Sequence, residues 1–249
     1  MVTTLYLIRH GETEGSGAKR YHGSIDIPLS GRGVLQMREV SQFIVIHLKA
    51  SSVSRRTSYL RDIHEPAQSP SPSFHGGGIS GDASLQKEDQ EARLQAVYCS
   101  DLVRAMRGAK IVAEPHGLKV ISMEELRERN FGIWEGMTFS EIRKRYPEEF
   151  ASWVDDPLNH SPVGGENTIR VRDRVTGALD CILDHHRGGN VLIVAHGGVN
   201  RVILSHVMGI PLENIFRIEQ DHGAVNIIEF WERYPVVKLV NGIVYGIPF

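Results

Sequence analysis

The sequence predicts an α/β fold, a three-layer sandwich in which helices cover both faces of a mainly parallel sheet. Three observations carry that prediction. Short, near-continuously apolar runs recur along the chain, as expected of strands covered on both faces. Stretches with helical periodicity separate them, an alternation that builds parallel sheets. The 249 residues, 41% hydrophobic and 23% charged, suffice for one large core and are short for two.

The first strand is residues 4–8, TLYLI. Ser30 then can cap a helix reaching about Lys49, with Met37, Val40, Ile44 and Leu48 on one face. Residues 50–91 break the pattern. They are rich in Ser, Pro and Gly, lack sustained periodicity and offer little apolar surface to bury. The expected organisation is therefore a single domain over residues 1–249, with a flexible insertion at about 50–92. A lid or partner-binding loop is the other reading of that stretch.

The second strand is 95–99, QAVYC, followed by a helix near 102–116 that ends at Gly117. A weaker strand lies at 118–122. Residues 140–154 are helical but interrupted at Pro147. A longer helix spans 167–186, the strand NVLIVA spans 190–195, and a further helix covers 199–209. From 225 to 246 the pattern suits antiparallel edge strands, with Asn241-Gly242 as a hairpin turn.

Net charge is −2 and the pI is near 6.6, which argues against a nucleic-acid partner. No apolar run approaches the ~20 residues of a membrane helix. The N-terminus lacks the pattern of a signal peptide. Cys99 and Cys181 both sit in apolar runs and read as reduced, buried thiols of a cytoplasmic protein.

Open parallel sheets bind ligands beyond the carboxyl ends of their strands. Arg9, His10, Gly11 and Glu12 follow the first strand. Ser100, Asp101 and Arg104 follow the second. The weaker strand leads to Leu126-Arg127-Glu128-Arg129-Asn130-Phe131-Gly132, and the NVLIVA strand to His196, Gly197 and Gly198. Two histidines, several arginines and a carboxylate converging on one rim are suited to a phosphate. Arginine offers a planar fork matched to phosphate oxygens. Glycine lets backbone N–H groups approach an anion. A neutral imidazole can attack phosphorus, and a carboxylic acid can protonate the departing alkoxide. Singly, each residue also has a plain structural reading, as a hydrogen-bonded histidine or a solvated arginine.

The segments LIRHGET, YCSDLVRA, LRERNFGIWEG and VAHGG resemble, in order, the four signatures of the histidine phosphatase superfamily, in its phosphoglycerate mutase-like branch. The resemblance covers nearly the whole chain except about 50–92. It implies that His10 is the nucleophile and becomes phosphohistidine, that Glu128 is the general acid and base, and that His196 stabilises the transferring group. It also implies that Arg9 and Arg104 clamp the phosphoryl group, and no cofactor or metal. Ser16 stands where many relatives carry a phosphate-touching asparagine. RYHGSIDIPLS resembles the family's second substrate loop, which brings His22, in a position usually glutamine, and Gly23 to the substrate. Gly197 is placed at the phosphate with them.

Residues 131–167 resemble the compact phosphatase members, among them α-ribazole phosphatase of cobalamin assembly. The Trp-Arg-Arg cluster of the mutases is not found. Expected is a phosphomonoesterase acting on a small phosphorylated metabolite, with no nucleic acid or membrane partner. SHVMGI and the edge strands could form a homodimer contact. The alternatives are a phosphoglycerate mutase, a fructose-2,6-bisphosphatase-like sugar phosphatase, a metallohydrolase using His10, His196 and Asp101, and an inactive phosphate-binding scaffold. Glu166, opening the predicted helix at 167–186, interacts with the helix dipole or touches substrate.

Overall fold

The computed structural model describes residues 1–18, 20–54 and 93–244. The remainder of the expected insertion, residues 55–92, lies outside the described residues. Strand β1 (Thr3–Arg9) sits in the middle of a six-stranded sheet ordered β3-β2-β4-β1-β5-β6. β2 (Leu94–Cys99), β3 (Val120–Ser122), β4 (Asn190–Ala195) and β1 run parallel. β5 (Val225–Phe230) is antiparallel to β1, and β6 (Pro235–Gly242) is antiparallel to β5.

The apolar runs of β1 and β4 are explained by layers on both sides. Leu5, Leu7, Val191 and Ile193 pack against α5 (Thr168–His185) and α6 (Gly197–Met208), through Val175, Leu179, Val199 and Ile203. The alternate residues Tyr6, Ile8, Leu192 and Val194 face α1 (Gly31–Ser54) and α2 (Val103–Ala113). Met37, Val40, Ile44 and Leu48 form the buried stripe of α1, as their 3–4 spacing predicts. Ser30 Oγ accepts the Gly33 N–H at 3.0 Å and caps that helix. Beyond α2 a 3-10 turn at Glu114–His116 closes on Gly117.

Pro147 divides the 140–154 segment into α3 (Phe139–Arg145) and α4 (Pro147–Asp155), because it can start a helix but not continue one. Thr138 and Glu141 form a capping box at the start of α3. Phe139, Phe150 and Trp153 pack against one another in this helical pair, Phe139 edge to face with the other two rings.

Two expectations are corrected. β5 and β6 are joined through residues 231–234, not at Asn241-Gly242. Asn241 does adopt a positive φ of 52°, but within the end of β6, where a bulge gives β6 an extra residue opposite Val225 and Ile227. Its side chain and backbone bond Asp221 and the buried Asn226, so the residue secures the chain before β5 rather than turning a hairpin. Cys99 is buried, whereas Cys181 is exposed on the solvent side of α5. Both are free thiols. Among the described residues no helix is long and apolar enough to cross a membrane.

Candidate active site

β1, β2 and β4 end at the same sheet edge, and their following residues open into one cavity of about 500 Å³. Arg9, His10, Ser16, His22, Gly23, Arg104, Glu128 and Gly197 all line it. His196 is fully buried beside them, its ring centroid 5.1 Å from that of His10.

His10 ends β1, and its Nδ1 lies 2.7 Å from the carbonyl oxygen of Gly11. A carbonyl only accepts, so Nδ1 carries the proton and Nε2 keeps its lone pair. Burial, then the neighbouring His196, Arg9 and Arg104, hold the His10 pKa well below the ordinary imidazole value. Burial, Arg104 and Arg9 do the same for His196, whose two buried ring nitrogens have no partner among the described residues. Both rings are therefore neutral at pH 7; His10 lines the cavity, whereas His196 lies behind it, covered from solvent.

The cations are fixed by backbone oxygens. Arg104 donates to Gly23 O at 2.6 Å and to Ile25 O at 2.8 Å. Arg9 donates to Gln220 O and to His222, and its buried Nε has no partner among the described residues. α6 begins right after His196, so its positive end adds to the same field.

Glu128 sits on the chain after β3. Its Oε1 accepts the Arg129 N–H at 2.9 Å and its Oε2 the Gly198 N–H at 3.1 Å. A Cβ at Gly198 would lie 2.4 Å from Glu128 Oε1, so only glycine admits the carboxylate there. Arg174, from α5, donates to the backbone oxygens of Glu125, Arg127 and Glu128. It also grips both oxygens of Glu166 at 2.9 Å. Glu166 in turn accepts the Asn130 N–H. Burial alone would raise the Glu166 carboxyl, but Arg174 and Asn130 hold it below its ordinary value. Glu166 braces the loop carrying Glu128.

The substrate-loop residues line the cavity in different ways. Ser16 Oγ accepts the Thr13 N–H and is within bonding reach of Thr13 O and Oγ1, so a phosphate would have to compete with that turn. Gly23 offers a carbonyl to Arg104 and so helps to fix that arginine. Both ring nitrogens of His22 are shut from solvent, without partners among the described residues. Asp101 is engaged by Arg127 through both carboxylate oxygens, which removes it from a metal triad with His10 and His196.

Sequence reasoning missed Tyr21, Arg129, Trp153, Arg201, Phe216 and His222, all of which line the cavity. Arg201 stands one helical turn after Gly197, a spacing that could have revealed it. Arg129 donates to Glu166 O, Thr168 Oγ1 and His160 O, and is occupied in holding the wall. The 3-10 segment Leu212–Arg217 carries Phe216, whose ring lies 6.1 Å from that of Trp153 on α4. Facing imidazoles, two arginines and a helix start can hold a tetrahedral anion; a neutral Nε2 can attack it; a carboxyl group stands by for the proton.

The family model described as "Histidine phosphatase superfamily (branch 1)" matches residues 5–61 and 78–242. The chain is 27% identical to phosphoserine phosphatase 1 of Hydrogenobacter thermophilus, over 95% of this chain and 91% of that protein. It is 25% identical to the adenosylcobalamin/α-ribazole phosphatase of Escherichia coli, over 98% of each. In fold it is similar to the crystal structure of the α-ribazole phosphatase from Shigella flexneri, with a TM-score of 0.72 and 23% identity, covering 99% of this chain and 100% of that one.

Proposed function

This chain belongs to the histidine phosphatase superfamily (branch 1) and is a phosphatase, and from that premise we propose a two-step hydrolysis of phosphomonoesters through His10. The observation that carries the reading is the bond from His10 Nδ1 to Gly11 O, which leaves Nε2 with its lone pair on a ring that lines the cavity together with Arg9 and Arg104.

In the first step Nε2 attacks phosphorus, the ester P–O bond breaks, and Glu128 gives its proton to the leaving oxygen. Arg9, Arg104 and His196 hold the non-bridging oxygens, with Gly197 at the helix start beside Arg9. In the second step Glu128, now a carboxylate, takes a proton from water. The water oxygen bonds to phosphorus, the P–N bond breaks, and inorganic phosphate leaves. The side chains of this site supply the charge that each step needs.

The substrate we favour is α-ribazole 5′-phosphate or an ester of like shape. Beyond the phosphate end, the cavity is walled by Tyr21, Phe131, Trp153 and Phe216, together with Ile27, Val202 and Ile215. A planar apolar body suits those walls. Glu128 is the one carboxylate among the described lining residues, so the far wall offers the ammonium group of phosphoserine no ion pair. The two free thiols support a reducing compartment, as in the cytoplasm.

The test is a panel of α-ribazole 5′-phosphate, phosphoserine and 3-phosphoglycerate, the last with 2,3-bisphosphoglycerate present to detect mutase turnover. Acid-labile label on wild type and its loss, with turnover, in His10→Ala are expected. Label persisting in His10→Ala overturns the nucleophile. Faster turnover of phosphoserine overturns the substrate.

A further inference from the structure

His222 belongs to no strand-end signature, yet it stands at the phosphate end of the cavity. Its placement follows from topology. β5 runs antiparallel to β1, so the residues before β5 arrive at the same sheet edge as the residues after β1. The segment is stapled there by backbone. The Gly223 N–H reaches the carbonyls of Arg9 and His10 at 3.1 Å each, and the Arg9 N–H donates to Ala224 O at 3.1 Å. Gly223 has a φ of +73°, a conformation that glycine adopts without strain.

The His222 ring lines the cavity and lies 5.6 Å from the His10 ring, centroid to centroid. Its Nε2 is 3.0 Å from an Arg9 terminal nitrogen. A guanidinium has only donors, so Nε2 must accept, and His222 must be neutral for the bond to exist. Arg9's other terminal nitrogen donates to the carbonyl of Gln220, in the same segment. Gln220 is itself fixed by a reciprocal pair of 2.9 Å bonds with Asn226, whose amide also donates to Leu7 O. Both terminal nitrogens of Arg9 are therefore held by one segment, while its buried Nε has no partner among the described residues.

We propose that His222 is a positioning residue: its Nε2 lone pair, with Gln220 O, sets the plane of the Arg9 guanidinium and so the geometry in which Arg9 meets a phosphoryl group. This rests on the phosphatase reading above. A flexible arginine would pay for its orientation with each binding event, whereas one held at both ends meets the anion already aligned. An uncharged imidazole does this without adding a further positive charge beside Arg9. Burial and then Arg9 itself press the ring toward that neutral form, against the opposing pull of Asp221.

The experiment measures inorganic phosphate binding by calorimetry and kcat/KM on the best ester, for wild type, His222→Ala, His222→Gln and the Arg9→Ala background. Glutamine places an uncharged acceptor close to the position of Nε2. The alanine variant is expected to lose about tenfold or more in both readouts, within the range that misplacement of a binding group causes. Glutamine should recover much of that loss. In the Arg9→Ala background, His222→Ala should add almost nothing. An alanine variant that matches wild type, a glutamine variant no better than alanine, or losses that add across the double variant overturn the proposal. If the alanine chain does not fold, His222→Phe, a ring without an acceptor, replaces it. Phosphate binding reads the clamp even where no ester is turned over, so failure of the hydrolysis assay with intact phosphate binding counts against the phosphatase reading and not against His222.

Discussion

The backbone N–H of Gly198 donates to Glu128 Oε2 at 3.1 Å, tying the first turn of α6 to the carboxylate proposed to handle the proton. The pocket thus sets the place of Glu128 by the absence of a side chain opposite it.

Gly198→Ala would put a methyl group 2.4 Å from Glu128 Oε1 as the backbone stands. The helix start is fixed by packing, so the carboxylate moves. The expected result is a fall in kcat of about 10–100-fold with a nearly unchanged unfolding midpoint, since a displacement near 1 Å suffices for such a loss. Steady-state kinetics beside a urea titration check it; wild-type kcat would show that Glu128 does not need this position.

Arg174→Lys keeps the charge but cannot serve three carbonyl groups and both Glu166 oxygens at once. Stability should drop by about 1–3 kcal/mol, the order of cost when buried acceptors lose their donor. Turnover should fall as the Glu128 loop loosens, with KM less affected. Paired denaturation and kinetics on Arg174→Lys read both effects.

Acid should destabilise the protein partly through His222. The folded-state pKa is lowered from 6.5 to about 4, chiefly by burial and then by Arg9 and Arg32, against Asp221. Between those values the unfolded chain binds the proton and the folded chain does not, so stability declines as pH falls from about 6.5 to 4. The whole shift corresponds to roughly 3 kcal/mol. His222→Gln should flatten the pH dependence of the urea midpoint by up to that amount. A slope equal to that of wild type would contradict the assignment.

Trp153→Ala removes one of the rings at the far end of the cavity without touching the phosphate end. For an ester with an aromatic body, kcat/KM should fall about tenfold, and for a small aliphatic ester it should barely change. Equal losses on both would mean that the ring shapes the pocket and does not contact the leaving group.

The sequence displayed the sheet and its chemistry unevenly. β1 and β4 are legible because Leu5-Tyr6-Leu7-Ile8 and Val191-Leu192-Ile193-Val194 must be apolar on both faces. His10, Arg104, Glu128 and His196 were legible because they follow strands, or a strand and a loop, within a few residues. His222 was not, because it precedes a strand; its arrival at the same edge depends on the antiparallel sense of β5, which local pattern does not encode. Glu166 stands where a helix-dipole partner would; its ion pair with Arg174, two turns further along α5, is the part that local pattern does not show. Asn241-Gly242 has the dipeptide of a hairpin turn, and its positive φ is real. The pairing of Val225 with Gly242 makes it a bulge instead. Cys181 lies in an apolar run but on the outer face of α5, so local hydrophobicity gave the wrong side.

The antiparallel return of β5 has a consequence for biosynthesis. Arg9 and His10 are synthesised more than two hundred residues before Gln220, His222 and Gly223, which align and staple them. A nascent chain can bury much of its helical scaffold while the proposed phosphate clamp is still unfinished. Hydrolysis should begin abruptly, once the 220–226 segment has been made and slides in beside β1.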